Sequence, residues 1–312
     1  MNEPPPVVLR TADLSAADLP ERRLRHEHER HSLERIAPGA YVDADAWRRL
    51  AELEQARLRV RARMARLSEH LVASHDSAAA LWGMPFLDAR PTAVHVIDPA
   101  RVTPDSRGGL IRHVGELADD DVVVGTHFLA TSPARTAVDM ALRDGFLTAL
   151  MFFDHGLREK LFTMEQVEVI LSRFPRARRR REALTAMRMA SPLPENGGES
   201  LSRGQFVLIG LEAPELQREF RENGRVFARA DFFWEEPGIV GELDGDVKYL
   251  ESRMRNGRSA EQVLVDEKWR SEQLLDHPEV NRVVRWNYAT ARSVTKLADR
   301  LIRAGVPRRP LR

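Results

Sequence analysis

The chain has 312 residues, 43% of them hydrophobic and 30% charged, enough for roughly two or three domains with cores of their own. Its 48 Lys and Arg balance 47 Asp and Glu, so the net charge of +1 does not announce a nucleic-acid partner, and any basic patch must be local. Cysteine is absent, which excludes disulfides, thiolate catalysis and Cys-ligated zinc.

Residues 1–9 read as a loose Pro-rich lead without the basic and apolar regions of a signal peptide. No apolar run reaches the roughly 20 residues of a membrane helix. The expectation is a cytoplasmic protein with no membrane partner. From Arg10 to Val42 the chain reads as short helices and then a hairpin. Leu24 is the inward residue of the basic helix ERRLRHEHERHS, and LERIAPGAYV folds back at Pro38-Gly39. A basic helix before a small hairpin is how a winged helix-turn-helix ends. Arg22, Arg23, Arg25 and Arg30 are its candidate DNA contacts, against the plainer reading of a solvated helix face. His26, His28 and His31 do not share one helical face, so no metal is assigned to them.

Trp47 to His70 reads as one long helix with Leu50, Leu53, Val60, Met64 and Leu67 at helical spacing. Residues 71–160 read as mixed α/β. Val72–Trp82 is a short strand and then a helix capped by Ser74 or Asp76. Strands follow at Thr92–Ile97, Leu110–Val114 and Val122–Leu129. Ser132-Pro133 starts a helix, with Ser132 as cap and Pro133 at its first position. Gly145–Leu157 and Thr163–Leu171 are further helices. Arg135 and Asp139, four apart, read as an intrahelical pair, and His75, His95 and His113 read as scattered. Arg176–Arg181 reads as the exposed end of a helix, where cations suit the dipole, in preference to a phosphate contact. SPLPENGG, Ser191–Gly198, marks a domain boundary.

Beyond it comes a helix beginning near Glu199, then strands at Glu215–Arg221, Arg225–Trp234 and Gly238–Leu243. A helix at Ser259–Leu275, a strand at Asn281–Tyr288 and a closing helix at Ala291–Ala304 complete an αβββαβα order. The fold class expected is therefore a multidomain α+β or α/β protein. Its parts are a winged-helix-like module (1–45), a mixed α/β domain with a long connecting helix (46–190) and the αβββαβα domain (195–312).

The stretch ADFFWEEPGIVGELDGDVK, Ala230–Lys248, concentrates the chemistry. Two strands joined through Pro237-Gly238 bring Asp231 and Glu242 together. Close carboxylates repel unless a cation neutralises them, and oxygen-only ligands suit Mg²⁺ or Mn²⁺. Lys248 is placed to meet a phosphate or polarise a water. The plainer reading puts Asp231, Asp244 and Gly245 in a turn.

This spacing of acids resembles the core of the PD-(D/E)XK nucleases. The wording ADF…GELDGxxK is most similar to their very-short-patch-repair-type (Vsr-like) branch, over residues 199–290, including Asp266, Lys268 and Arg270 and the VVRW strand. The resemblance implies a metal-dependent endonuclease in which Asp231 and Glu242 hold Mg²⁺ (or Mn²⁺). It implies that Glu199 and Gln217 lie near the site; Arg270 and Arg253 or Arg255 are the candidate cations for DNA phosphates. Asp244 stands where the usual motif has Lys, a substitution shared with the Vsr-like branch, and Lys248 stands where that branch often carries His. Upstream, a helix leading into Arg35-Ile36…Gly39…Tyr41 resembles the AbiEi-like antitoxins of type IV toxin–antitoxin systems. So does the order SAAxLWG, VHV, LIRH, TSPxRTxxDxA and ALxxxDxxLR. That resemblance implies a winged helix, a scaffold or partner-binding domain and a cognate toxin protein as partner. The two together suggest a Mg²⁺-dependent DNA endonuclease of defence or repair. The alternative is a DNA-binding antitoxin-type regulator whose nuclease-like domain is inactive, and a third reading has RNA as substrate.

Overall fold

The computed structural model describes residues 6–11, 21–87, 92–126, 128–244, 269 and 272–309; of Glu21, Arg22 and Arg23 it describes the backbone alone. The protein is a mixed α/β chain that divides into two compact units, Met1–Arg143 with Glu165–Arg176, and Asp144–Met164 with Ala177–Arg312.

In the first unit, β1 (Leu9–Arg10), β2 (Leu33–Ala37) and β3 (Ala40–Asp43) form an antiparallel sheet in the order β1-β3-β2. The supposed loose lead thus contributes an edge strand. Helix α1 (Glu21–Glu29) buries Leu24 against Leu33 and Tyr41, the inward residue its pattern called for. The stretch expected to be one helix from Trp47 is two, α2 (Ala44–Arg49) and α3 (Glu52–Met64). Leu50 and Ala51 are extended between them. The amide of Gln55 donates to the carbonyls of Trp47 (2.9 Å) and Leu50 (3.3 Å), satisfying acceptors that a continuous helix would have used. Helix α3 serves two cores. Ala62 packs with Ile36, Val42 and Trp47 of the small-sheet module, while Val60 and Met64 pack with Leu71, Val94 and Val96.

The large sheet has six strands in the order β6-β7-β5-β4-β9-β8. They are β4 (Val72–Ala73), β5 (Val94–Ile97), β6 (Asp105–Arg107), β7 (Leu110–His113), β8 (Val122–Gly125) and β9 (Phe128–Thr131). Pairs β5–β7 and β4–β9 are parallel. Two expectations change here. Strand β6, which is polar and lacks an apolar alternation, pairs with β7 through a turn at Gly108 and Gly109, both at positive φ. The stretch Val122–Leu129 is a hairpin rather than one strand, with Gly125 paired to Phe128. Helices α4 (His75–Trp82), α5 (Pro133–Asp144) and α7 (Met164–Ser172) complete this unit. On α5 the Arg135–Asp139 pair forms at 2.9 Å, and Arg135 also meets Asp121 at 2.7 Å, all three side chains being buried. Burial pushes Asp139 up to about 6, against the pull of Arg135.

In the second unit, α6 (Phe146–Arg158) packs on α8 (Arg180–Met189) and α9 (Gly197–Ile209). The basic run beginning at Arg176 leads into the N-terminus of α8, not out of a C-terminus as the dipole argument required. Glu182 in the first turn of α8 offsets the unfavourable charge and accepts from Phe146 N at 3.0 Å. Strands β10 (Glu215–Glu222), β11 (Arg225–Trp234), β12 (Ile239–Asp244) and β13 (Arg282–Asn287) form one sheet in that order. The first three are antiparallel and β13 runs parallel to β12. Phe206 of α9 meets Phe232, Trp234 and Trp286 edge-on, and each such ring contributes about 1.5–3 kcal/mol on burial. Gly241 makes room for this cluster, since a Cβ there would stand 2.8 Å from the Trp286 ring and 3.0 Å from Trp234. Helices α10 (Tyr288–Ala291) and α11 (Val294–Ala304) close the unit.

Candidate functional site

The register of the four-stranded sheet places the polar residues. Phe232 pairs with Gly241 and Phe233 with Val240, so one step further along the same register Asp231 stands opposite Glu242. Leu216 pairs with Phe232 and Arg218 with Ala230, which puts Gln217 beside Asp231. Glu242 pairs with Arg285 on β13. Extending these registers lines up Gln217, Asp231, Glu242 and Arg285 across the four strands, with Glu242 and Arg285 directly paired.

Local bonding holds the row. Asp231 Oδ2 accepts the backbone N–H of Leu243 at 2.8 Å, a side chain standing in for a ladder carbonyl at the end of the β11–β12 pairing. Gln217 has φ +54°, a left-handed backbone that L-residues other than Asn and Asp seldom adopt, and strain of this kind gathers at functional sites. Its Nε2 donates to Glu199 Oε2 at 2.9 Å. Glu199 itself lies in the first turn of α9. Asn196 caps that helix, accepting from Gly198 N and Glu199 N, and its Nδ2 donates to Glu199 Oε1 at 2.6 Å. Glu195 N donates to Oε2 at 2.7 Å. Gly198 lets the helix end approach β12, because a Cβ there would stand 2.5 Å from the Leu243 side chain.

Electrostatics follow from this packing. Glu199 is only 3% exposed, and burial pushes its carboxyl up to about 8. The charge of Asp231 adds to the rise, and the donors from Glu195 N and Gln217 oppose it. Glu242 is 6% exposed and is met by Arg285, whose Nε donates to Oε2 at 2.8 Å. Asp244, exposed at the end of β12, has Oδ1 4.0 Å from the same nitrogen.

Of the residues expected from sequence, Glu199, Gln217, Asp231 and Glu242 share this end of the sheet, and Asp244 is at its rim. Lys248, Arg253, Arg255, Asp266, Lys268 and Arg270 lie outside the described residues, as do the side chains of Arg22 and Arg23. Arg25 is exposed on α1. Arg285 was missed, although the VVRW strand was recognised. Alternation along that strand sets Arg285 opposite in face to the buried Trp286, but its partner depends on a parallel register that no local pattern fixes. Among the described residues no three His, Asp or Glu side chains are grouped closely enough to hold an ion by themselves. Two carboxylates with water or phosphate completing the shell are nonetheless a normal donor set for Mg²⁺, and Asp231 with Glu242 match it in number and type.

A second group of titratable side chains overturns the reading of scattered histidines. His75 follows β4, His95 is on β5 and His113 is on β7, and the topology stacks them. The rings of His75 and His113 lie 3.8 Å apart and nearly parallel. His95 Nδ1 is 2.9 Å from His113 Nε2, and His95 Nε2 is 3.3 Å from Asp76 Oδ2. Arg143 grips Asp76 with both terminal nitrogens. His75, at φ +47°, bonds Ser74 Oγ through Nδ1 at 3.0 Å. Burial, then the neighbouring His95 and Arg143, bring His113 down to about 4. Burial and His113 hold His75 well below the usual imidazole range. Both rings are thus kept neutral at physiological pH.

Comparison with known protein families, with curated proteins and with solved structures gives no match.

Proposed function

We propose that the second unit is a divalent-ion-dependent phosphodiester hydrolase acting on DNA, built as a restriction-endonuclease-like αβββαβα domain of the Vsr-like kind. The observation that carries the reading is the row Gln217–Asp231–Glu242–Arg285 with the buried Glu199 beside it. Like charges opposite each other on adjacent strands are destabilising, and in the free protein Arg285 relieves this at Glu242. Asp231 and Glu242 would hold Mg²⁺ or Mn²⁺. Bound there, the ion supplies a water of lowered pKa and charge neutralisation at the phosphate. The chain's own part is preorganisation. Leu243 N fixes the Asp231 carboxylate, and Glu195 N, Asn196 and Gln217 fix that of Glu199, so neither acid has to reorient as charge develops.

Nicking of supercoiled plasmid in Mg²⁺ or Mn²⁺, with EDTA, Asp231→Ala and Glu242→Ala as controls, tests the reading. Wild type should nick only with the ion, and each variant should lose at least about a hundredfold, the usual loss when one preorganised group is removed. Equal cutting by all three proteins would rule this site out. A single-stranded RNA substrate in parallel decides between the nucleic acids.

A second reading, a DNA-binding regulator of antitoxin type, is favoured by the exposed Arg25 on α1 next to a three-stranded sheet. Operator binding that Arg25→Ala weakens, with no ion-dependent cleavage, is its signature.

A further inference from the structure

The strand motif of the second unit lacks a lysine two residues after its second acid, because Asp244 stands there. A cation reaches that acid from the neighbouring strand instead. Parallel pairing puts Arg285 directly beside Glu242, with the charge-assisted bond at 2.8 Å and Asp244 Oδ1 at 4.0 Å. Glu242 is nearly buried, whereas the Arg285 side chain is about a third exposed, at 32%. The guanidinium can therefore leave the carboxylate without breaking the core. Its backbone does not follow: the Arg285 carbonyl accepts from Arg300 of α11, and β13 stays paired along the whole of β12.

We propose, resting on the hydrolase reading above, that Arg285 is a built-in counter-ion that competes with the divalent ion for Glu242. It neutralises the acid in the free protein, yields the carboxylate when the ion enters, and then meets the non-bridging oxygens of the substrate phosphate. A planar guanidinium suits that last role, because it can grip two phosphate oxygens at once. The competition makes the ion's apparent affinity lower than the acids alone would give, by the fraction of molecules in which Glu242 is released. Substrate phosphate favours the released state and so tightens the ion, and by linkage the ion tightens the substrate.

The test is Mn²⁺ binding, read from the free-ion paramagnetic resonance signal, on the full chain as wild type, Arg285→Ala, Arg285→Lys, Glu242→Gln and Arg285→Ala/Glu242→Gln. Arg285→Ala should bind Mn²⁺ about tenfold more tightly than wild type, because a charge-assisted bond to the acid is gone. Glu242→Gln should bind weakly, and adding Arg285→Ala to it should restore nothing. Arg285→Lys, which keeps the charge and spares the fold, should stay within about threefold of wild type. Binding of a short duplex in Ca²⁺ should move the other way, weakened about tenfold in Arg285→Ala and partly recovered by millimolar guanidinium. Mn²⁺ uptake that Arg285→Ala leaves unchanged or weakens overturns the inference and leaves the ion site standing. No uptake by wild type and Arg285→Ala alike overturns both.

Discussion

Replacing His113 by Asn probes the stacked imidazoles of the first unit. A histidine held below its ordinary value binds its proton more readily in the unfolded chain. Its neutral form therefore contributes stability above pH 6.5 that is lost as the pH falls toward 4. Worked through the linkage relation with 6.5 unfolded and about 4 folded, wild type loses about 2 kcal/mol between pH 8 and pH 5 from this one group. His113 is half-buried, and solvent screening reduces the figure to about 1 kcal/mol. The groups around it are His75, His95, Asp76 and Arg143, and they remain in the variant. The assay is urea unfolding at pH 8, 6.5 and 5, read by hydrogen exchange of peptides from residues 92–114, which isolates this unit. The Asn variant should be less pH-dependent than wild type by about 1 kcal/mol over that range. Parallel pH dependences for the two proteins would refute the idea that the fold holds His113 neutral.

Glu199→Gln addresses the opposite sign. A carboxyl raised from 4.5 to about 8 costs stability as the pH climbs through that interval, since the unfolded chain gives up its proton first. Without divalent ions, wild type should lose about 3–4 kcal/mol between pH 5 and 8, and the Gln variant should not; denaturant midpoints check this. Gly241→Ala should destabilise the second unit by about 1–3 kcal/mol, because the new methyl meets Trp286 and Trp234 and neither ring has space to retreat. Thermal unfolding followed by tryptophan fluorescence measures it, and an unchanged midpoint would mean the cluster is loosely packed.

The second unit was the more legible part of the sequence. Alternation in RVFARADFFW and IVGELD and the Pro-Gly turn between them gave strand limits within a residue of those observed, and so made the two acid-bearing strands neighbours. Local pairing is short-range, and its register follows from the turn. Arg285 was illegible because its partner strand lies many residues away and runs parallel. The imidazole stack was illegible for a related reason, being assembled from a helix start and two strands that only the order β7-β5-β4 makes neighbours. The break at Leu50 was hidden by good helical spacing on both sides, and a side-chain amide decided it. Strand β6 carried no alternation to read, since its pattern is polar throughout.

Helix α3 lends residues to the small-sheet core and to the large-sheet core at once. Such a helix ties the two cores together, since neither can come apart without exposing side chains of α3. The small module and the six strands should accordingly melt as one cooperative block, and trimming the head away would leave Ala62 and Trp47 bare rather than yield a clean truncation.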